Sequence, residues 1–130
     1  QPSYLDVKEW IIMDTIIRET LRPFGITRTY CGYSQIVCAI ALVIEDESRL
    51  CHITTEVYDV VAKQTHCNLT SVERNIRTLI HCAWRNNRTL LLEMAGSPFN
   101  SPPSVSQFID IVASYIIRHS PTAPSHFHLT

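Results

Sequence analysis

The sequence has no apolar run long enough to cross a lipid bilayer. Its longest run, residues 36–44, has nine residues and is followed by three consecutive acids, whereas a membrane-spanning helix needs about 20 apolar residues. No basic segment precedes an apolar stretch in the manner of a signal peptide. We therefore expect a cytoplasmic chain that has no membrane partner.

The five cysteines lack the spacing of a disulfide framework or of a zinc site. Their number is odd, and the sequence contains no C-x2-C or H-x3-H element of the kind that zinc sites normally show. Three cysteines stand next to a histidine, but neighbours on a helix point about 100° apart and do not readily bind one ion. We expect reduced, mostly buried thiols, no metal site and no other cofactor.

Motifs of catalysis are also missing. The sequence has no G-x-S-x-G element, no phosphate-binding loop and no paired carboxylates in an apolar setting. We therefore expect that the protein is not an enzyme and has no catalytic residues.

The charges are unevenly distributed, although the net charge of the 130 residues is only −1. Residues 63–92 carry five cations and one acid, a net charge of +4, whereas residues 1–47 carry a net charge of −3. A near-neutral protein with one basic segment has a sided electric field, which can steer a polyanion onto one face.

Apolar residues recur with helical periodicity, with almost no strand alternation and no internal repeat. The fold class that this pattern predicts is all-α, a compact bundle of about six helices that contains a helix-turn-helix. The second helix is apolar all round, which predicts a central position. The expected domain spans residues 1–120, and residues 121–130 are expected to form a flexible tail. The predicted helices cover residues 6–21, 34–45, 54–64 and 70–84 or 70–86, with a helical turn at 90–94 and a last helix that begins near residue 104.

Three capping boxes support the predicted starts of these helices. In a capping box, the first side chain and a side chain three residues later each accept a hydrogen bond from the other's backbone N–H. The pairs with this spacing are Ser3 with Asp6, Thr70 with Glu73, and Ser104 with Gln107.

Residues 54–86 fit a helix-turn-helix. Such a unit needs a small residue where the helices cross, a residue that tolerates positive φ in the turn, and a branched apolar residue that holds the second helix. Ala62, His66 and Val72 have this spacing. An ordinary helical hairpin uses the same residue types, so the spacing alone leaves both interpretations open.

The second helix of this unit has a cationic outer face, which favours DNA binding. At about 100° per residue, its apolar residues share one side, while donors occupy the opposite side. A helix that reads the major groove presents a few donors near its N-terminus in this way. The apolar side comprises Val72, Ile76, Leu79, Ile80 and Ala83; the outer side comprises Arg74, Thr78, His81 and Arg85, flanked by Thr70 and Arg77.

We predict two classes of DNA contact. Arg suits bidentate recognition of guanine, and Glu can accept from cytosine N4, whereas the remaining cations suit phosphates, which give register without sequence information. The predicted base contacts are Glu73, Arg74, Thr70 and Ser71, and the predicted backbone contacts are Lys63, Arg77, Thr78, Arg85 and Arg88.

Two alternatives stay open at these positions. Glu73 is also the acid of a predicted capping box, and one carboxylate does not readily serve both roles. Arg85 and Arg88 lie near the end of a predicted helix, where the helix dipole favours cations with or without DNA.

Several runs resemble the C-terminal effector domain of the stage-zero sporulation master response regulator family. They are YDVVAK at residues 58–63, VERNIR at 72–77, Ala83-Trp84, Gly32-Tyr33 and SQFI at 106–109, and the likeness extends in order over residues 10–119. The resemblance implies a six-helix fold with the second helix of the helix-turn-helix in the major groove, Glu73 and Arg74 near bases, and Arg77 at the backbone. It also implies double-stranded DNA as partner, and candidate further partners are RNA polymerase and a second copy of the domain on a tandem site.

The sequence departs from the family pattern at two positions beside the VER motif. Ser71 stands where the family usually has Arg, and Thr78 where it usually has His; the loop before the last helix has also lost its lysines. Each lost phosphate contact lowers the slope of the logarithm of the binding constant against the logarithm of the salt concentration by about 0.9. The alternative function is therefore a helical protein–protein interaction module that keeps the fold and has lost specific DNA binding.

The chain begins with Gln1 rather than Met. We therefore expect it to be a piece of a longer protein. Members of the family normally carry a phosphorylatable receiver domain before the effector domain, and the 130 residues leave open whether one precedes Gln1.

Overall fold

The computed structural model describes residues 7–119, and these form a bundle of helices. No strand occurs in this range, which confirms the predicted all-α class. None of its helices is long and apolar enough to cross a membrane. The predicted cap at Ser3 and Asp6 and the predicted tail lie outside the described residues. In chain order the elements are α1 (Val7–Leu21), a 3-10 turn (Arg22–Phe24), α2 (Tyr33–Glu45), a 3-10 segment (Glu47–His52), a π-helical turn (Thr54–Tyr58), α3 (Asp59–Thr65), α4 (Leu69–Ala95) and α5 (Val105–His119).

The central helix of the bundle is α2, as the apolar run at residues 36–44 predicts. It packs against α1, α3, α4 and α5. A helix with no polar face is stable in water only where neighbours cover it on several sides. Its buried residues are Tyr33, Gln35, Ile36, Val37, Ala39, Ile40, Ala41, Val43 and Ile44.

An arginine beyond the end of α2 closes that helix. The Arg49 guanidinium donates to the Leu42 carbonyl at 2.7 Å and to the Glu45 carboxylate at 2.7 Å. The Glu45 side chain is only 3% exposed, and a buried carboxylate without a partner would be strongly destabilising. Arg49 therefore both neutralises this acid and satisfies a carbonyl that the helix end leaves free.

The end of α1 is attached to α4 through side-chain amides. Gly25 has φ 78° and donates its N–H to the Arg22 carbonyl at 2.9 Å, closing the turn that Pro23 begins. Asn86 Nδ2 donates to the Phe24 carbonyl at 3.0 Å, and Asn87 Nδ2 donates to the Pro23 carbonyl at 3.2 Å. The predicted end of the first helix at Pro23 and Gly25 is confirmed.

The long helix α4 is broken at one residue. Asn87 has φ −153° and ψ 63°, well outside helical values, and its Oδ1 accepts the Leu90 N–H at 3.3 Å. Asn87 therefore acts as the N-cap of a second helical segment. The predicted helix end at 84–86 and the predicted helical turn at 90–94 correspond to the two sides of this break.

One predicted capping box is confirmed and another is wrong. Ser104 N–H donates to Gln107 Oε1 at 2.8 Å, and Gln107 N–H donates to Ser104 Oγ at 3.2 Å, as predicted. At the start of α4, however, the N-cap is Asn68, whose Oδ1 accepts the Ser71 N–H at 2.8 Å. Asn caps a helix more strongly than Thr, so the helix begins before the predicted pair and Glu73 is left for another partner.

The prediction of mostly buried thiols is wrong. Cys82 is buried and Cys38 is half-buried, whereas Cys31, Cys51 and Cys67 are exposed, because these three lie in connections between α-helices. All five are free thiols, and burial raises the pKa of Cys38 to about 11. Within residues 7–119 no cluster of His, Cys, Asp and Glu could hold a metal ion.

Gly32 lies directly against the backbone of α4. A Cβ added there would stand 3.0 Å from Asn75 Cβ and 3.1 Å from the Asn75 carbonyl carbon and oxygen. Backbone atoms of a packed helix do not move aside as the end of a flexible side chain would. We expect Gly32→Ala to lower the free energy of unfolding by about 1–3 kcal/mol, the usual cost of overpacking, as measured by chemical denaturation.

The matched control is Ser34→Ala, which changes an exposed residue two positions further along. Surface substitutions of this kind usually change stability by less than about 0.5 kcal/mol. Equal stability of the two variants would show that α2 and α4 are not in close contact at Gly32.

Candidate nucleic-acid interface

The turn between α3 and α4 has the backbone geometry that the sequence predicts. His66 has φ 59° and ψ 39°, in the left-handed region, and it is the only non-glycine residue of positive φ among residues 7–119. The N–H groups of His66 and Cys67 both point to the Ala62 carbonyl, the second at 3.0 Å. Ala62 and Val72 are buried, so all three residues of the predicted helix-turn-helix pattern occupy their expected places.

The buried and outer faces of α4 are also as predicted. All five residues of the predicted apolar side are buried. The predicted outer residues are exposed, so the face that would meet DNA is open. They are Thr70, Arg74, Arg77, Thr78, His81 and Arg85.

The predicted DNA-contacting cations differ in whether the protein already engages them. Arg74 and Arg85 have no hydrogen-bond or ion-pair partner for their guanidinium groups within residues 7–119. Lys63 pairs with Asp59 at 3.1 Å, and Arg77 pairs with Glu73. Both pairs are exposed i,i+4 pairs, which contribute about 0.3–0.5 kcal/mol each, so a phosphate can displace the carboxylate at little cost.

Arg88 is held by an aromatic side chain rather than by an acid. Its Cζ lies 4.1 Å from the centre of the Trp84 ring, and Trp84 in turn stacks on Phe99 with ring centres 5.7 Å apart. This stack links the break in α4 to the connection before α5. Arg88 therefore has a structural role that sequence reasoning did not predict, beside its predicted phosphate contact.

Two of the predicted polar contact residues already form hydrogen bonds in α4 or with its N-cap. The Thr78 hydroxyl donates to the Arg74 carbonyl at 3.1 Å, which leaves its oxygen free to accept. The N–H of half-buried Ser71 is used by the Asn68 cap, and Thr70 is exposed in the first turn. Predicted base contacts 70, 71, 73 and 74 thus lie together in the first two turns of α4.

Gln35 is a residue of this site that sequence reasoning missed. It is only 2% exposed. Its Nε2 donates to Cys67 Sγ at 3.1 Å in the turn, and its Oε1 accepts from Asn75 Nδ2 at 3.1 Å on α4. One side chain of α2 therefore connects the turn to α4. The available signal was an amide placed directly before the apolar run at residues 36–44.

Comparison with known protein families agrees with this geometry. The family model described as "Sporulation initiation factor Spo0A C terminal" matches residues 17–116, which is most of the chain. The chain belongs to this family. The domain that defines this family is a DNA-binding effector domain that regulates transcription in sporulation, and it is not an enzyme.

The left-handed turn residue can be tested by a pair of substitutions. Glycine adopts positive φ without strain, whereas a β-branched residue does not. We expect His66→Gly to leave the free energy of unfolding unchanged or slightly raised, and His66→Val to lower it by about 1–2 kcal/mol. Thermal unfolding of both variants beside the wild type measures the difference. A His66→Val protein as stable as His66→Gly would contradict the left-handed turn.

The Gln35 bridge can be tested by a double-mutant cycle. Gln35→Ala leaves the Asn75 amide without its partner, and we expect a loss of about 1–3 kcal/mol of stability. Asn75→Ala in the same background should then cost little, which gives a coupling of about 0.5–3 kcal/mol by chemical denaturation. Asn100→Ala, at an exposed amide in the connection before α5, is the control. Additive effects of the first two substitutions would show that the bridge does not exist.

Proposed function

We propose that this member of the Spo0A C-terminal family is a sequence-specific transcription regulator that inserts α4 into the major groove of double-stranded DNA. The observation that carries the proposal is Arg74, an exposed guanidinium that has no partner within residues 7–119 and lies in the second turn of a helix that follows a left-handed turn. Residues near the N-terminus of a recognition helix are the ones that reach base edges. A single guanidinium there suits the O6 and N7 atoms of guanine.

The ion pair between Glu73 and Arg77 would break when the protein binds DNA, and each side chain would then contact the DNA. In free protein each side chain partly neutralises the other. Near DNA, Arg77 can exchange the carboxylate for a phosphate, because an exposed pair is weak. Glu73 is then free to accept a hydrogen bond from cytosine N4. Base reading by Glu73 and phosphate binding by Arg77 are thus coupled in the proposal.

The remaining proposed contacts divide between bases and phosphates. Thr70 and Ser71 complete the base-reading turn, whereas Lys63, Thr78, Arg85 and Arg88 meet phosphates. Arg85 requires no rearrangement, because it has no partner within residues 7–119. Two further partners are proposed from the family, RNA polymerase and a second copy of the domain on a tandem DNA site. Acting on chromosomal DNA, the domain would be cytoplasmic.

One observation favours the alternative function, a protein–protein interaction module. Val7 is 67% exposed and Ile11 is 58% exposed, and both lie in the first half of α1. Exposed apolar side chains that are close together are common at protein contacts. Val7 and Ile11 lie on α1, whereas Arg74 lies on α4. Substitutions on one helix can therefore test one function without changing the residues of the other.

The test of the DNA proposal is a binding titration with DNA selected from a genomic pool, at two salt concentrations. We expect salt-sensitive binding, and we expect Arg74→Ala to weaken binding to the preferred duplex by about 1–3 kcal/mol. Because the lost contact reads a base, the variant should also discriminate less between duplexes.

Arg118→Ala is the matched control, since Arg118 is exposed and contacts the Met94 carbonyl at the opposite end of α4. It should bind DNA as the wild type does. Absence of wild-type binding even at low salt would contradict the proposed function and favour the interaction module. Binding that Arg74→Ala leaves unchanged would contradict the groove assignment.

A further inference from the structure

The connection between α1 and α2 lies along one flank of α4. A Cβ added at Gly32 would lie only 3.1 Å from the Asn75 carbonyl, and the Tyr30 hydroxyl forms a hydrogen bond with Cys82 Sγ at 3.2 Å. The contact with Cys82 raises the pKa of Tyr30, and the nearby positive charge of Arg85 opposes that shift. Two turns of the recognition helix are therefore held against this connection.

The position of these contacts places the connection next to the outer face of α4. At about 100° per residue, Asn75 and Cys82 project in nearly the same direction. Thr78 and Arg85 follow them on the way around to the outer face. Residues 27–31 are all exposed, so this segment forms a ridge beside the helix surface that would meet DNA.

The ridge is cationic. Arg28 has no hydrogen-bond or ion-pair partner within residues 7–119, and residues 20–44 contain no acid. The nearest acids along the chain, Asp14 and Glu19, are already paired with Arg18 at 2.7 Å and Arg22 at 2.8 Å. Arg28 therefore has its full charge available for an external anion.

The dimensions of DNA indicate which anion this is. The major groove is about 12 Å wide, and a helix with its side chains is about 10–12 Å across. A recognition helix fills the groove, so an element packed on its flank cannot enter. Such an element instead meets the phosphate strand at the edge of the groove.

We propose that residues 27–31 form a second DNA contact, in which Arg28 binds a backbone phosphate on the side of the groove that Arg85 faces. The proposal rests on the proposed function, since it requires α4 in the groove. It adds a sequence-independent anchor from outside the helix-turn-helix. Thr29 and Tyr30 supply hydroxyl groups on the same ridge.

A small anion is a less suitable ligand for Arg28. Arg28 also lines an open cleft of about 780 Å³ between α1 and the connection. The other two arginines of that cleft are engaged by its own acids, so only one free charge faces the opening. One charge binds a polyanion that is anchored elsewhere better than it binds a lone phosphate ion.

The test uses the full chain and a duplex that the wild type selects from a random-sequence pool. Neutralising one phosphate contact lowers the slope of log K against log salt by about 0.9, which is roughly eightfold in affinity over one decade of salt. We expect this change for Arg28→Gln, with the order of preference among duplexes unchanged. Lys8→Gln is the control, because it removes the same charge from the first turn of α1, about 20 Å along that helix from Leu21, and should leave the slope unchanged.

Three outcomes would overturn the proposal, and they are distinguishable. An unchanged slope for Arg28→Gln, with binding still sensitive to Arg74→Ala, would remove the second contact and keep the proposed function. If Arg28→Gln and Lys8→Gln lowered the slope of log K against log salt by the same amount, the change would be a general effect of net charge and not the loss of a phosphate contact. No wild-type binding at any salt would contradict both proposals. Equal thermal unfolding of both variants and the wild type excludes misfolding, and titration with inorganic phosphate identifies binding of the small anion alone.

Discussion

The start of α2 packs against the second turn of α4, and the position of α4 depends on this contact. Gly32 allows the two backbones to approach, because any side chain there would meet the Asn75 carbonyl. Gln35, one turn later, joins Asn75 to Cys67 in the turn. An amide buried without partners would be costly, so the bridge is satisfied only when α2, the turn and α4 are in register. The apolar core supplies most of the stability, and this polar link specifies the orientation.

The electrostatics of the proposed DNA-binding face are set by pairing more than by composition. The basic segment 63–92 carries a net charge of +4, but much of that charge is engaged within the protein. Lys63 and Arg77 each face an acid one turn away, and Arg88 lies over Trp84. The guanidinium groups of Arg74 and Arg85 remain available within the described residues. Such a surface favours a few specific contacts over strong general attraction to DNA, which is consistent with a net charge near zero.

Local patterns predicted the parts of the fold that depend on neighbouring residues. Helical periodicity identified the apolar and outer faces of α4, and Ser104 with Gln107 identified a cap correctly. The cap of α4 was misassigned because Asn68 and Thr70 are both acceptable caps. Only the position of the chain before Leu69 decides between them. The break at Asn87 was visible as two separate helical patterns, although nothing in the sequence indicated that the Asn87 side chain bonds to Pro23.

The all-α class, the left-handed turn at His66 and the outward direction of Arg74 are all predictable from local sequence, because each follows from residue type and a helical repeat over a few residues. The bridge of Gln35 from the turn to α4, and the position of the Arg28 connection beside α4, follow from the way the helices pack together. Those contacts join residues 32 to 52 positions apart, and no local periodicity relates such residues. The helix-turn-helix was therefore predictable as a unit, whereas the neighbours that orient it and extend its surface were not.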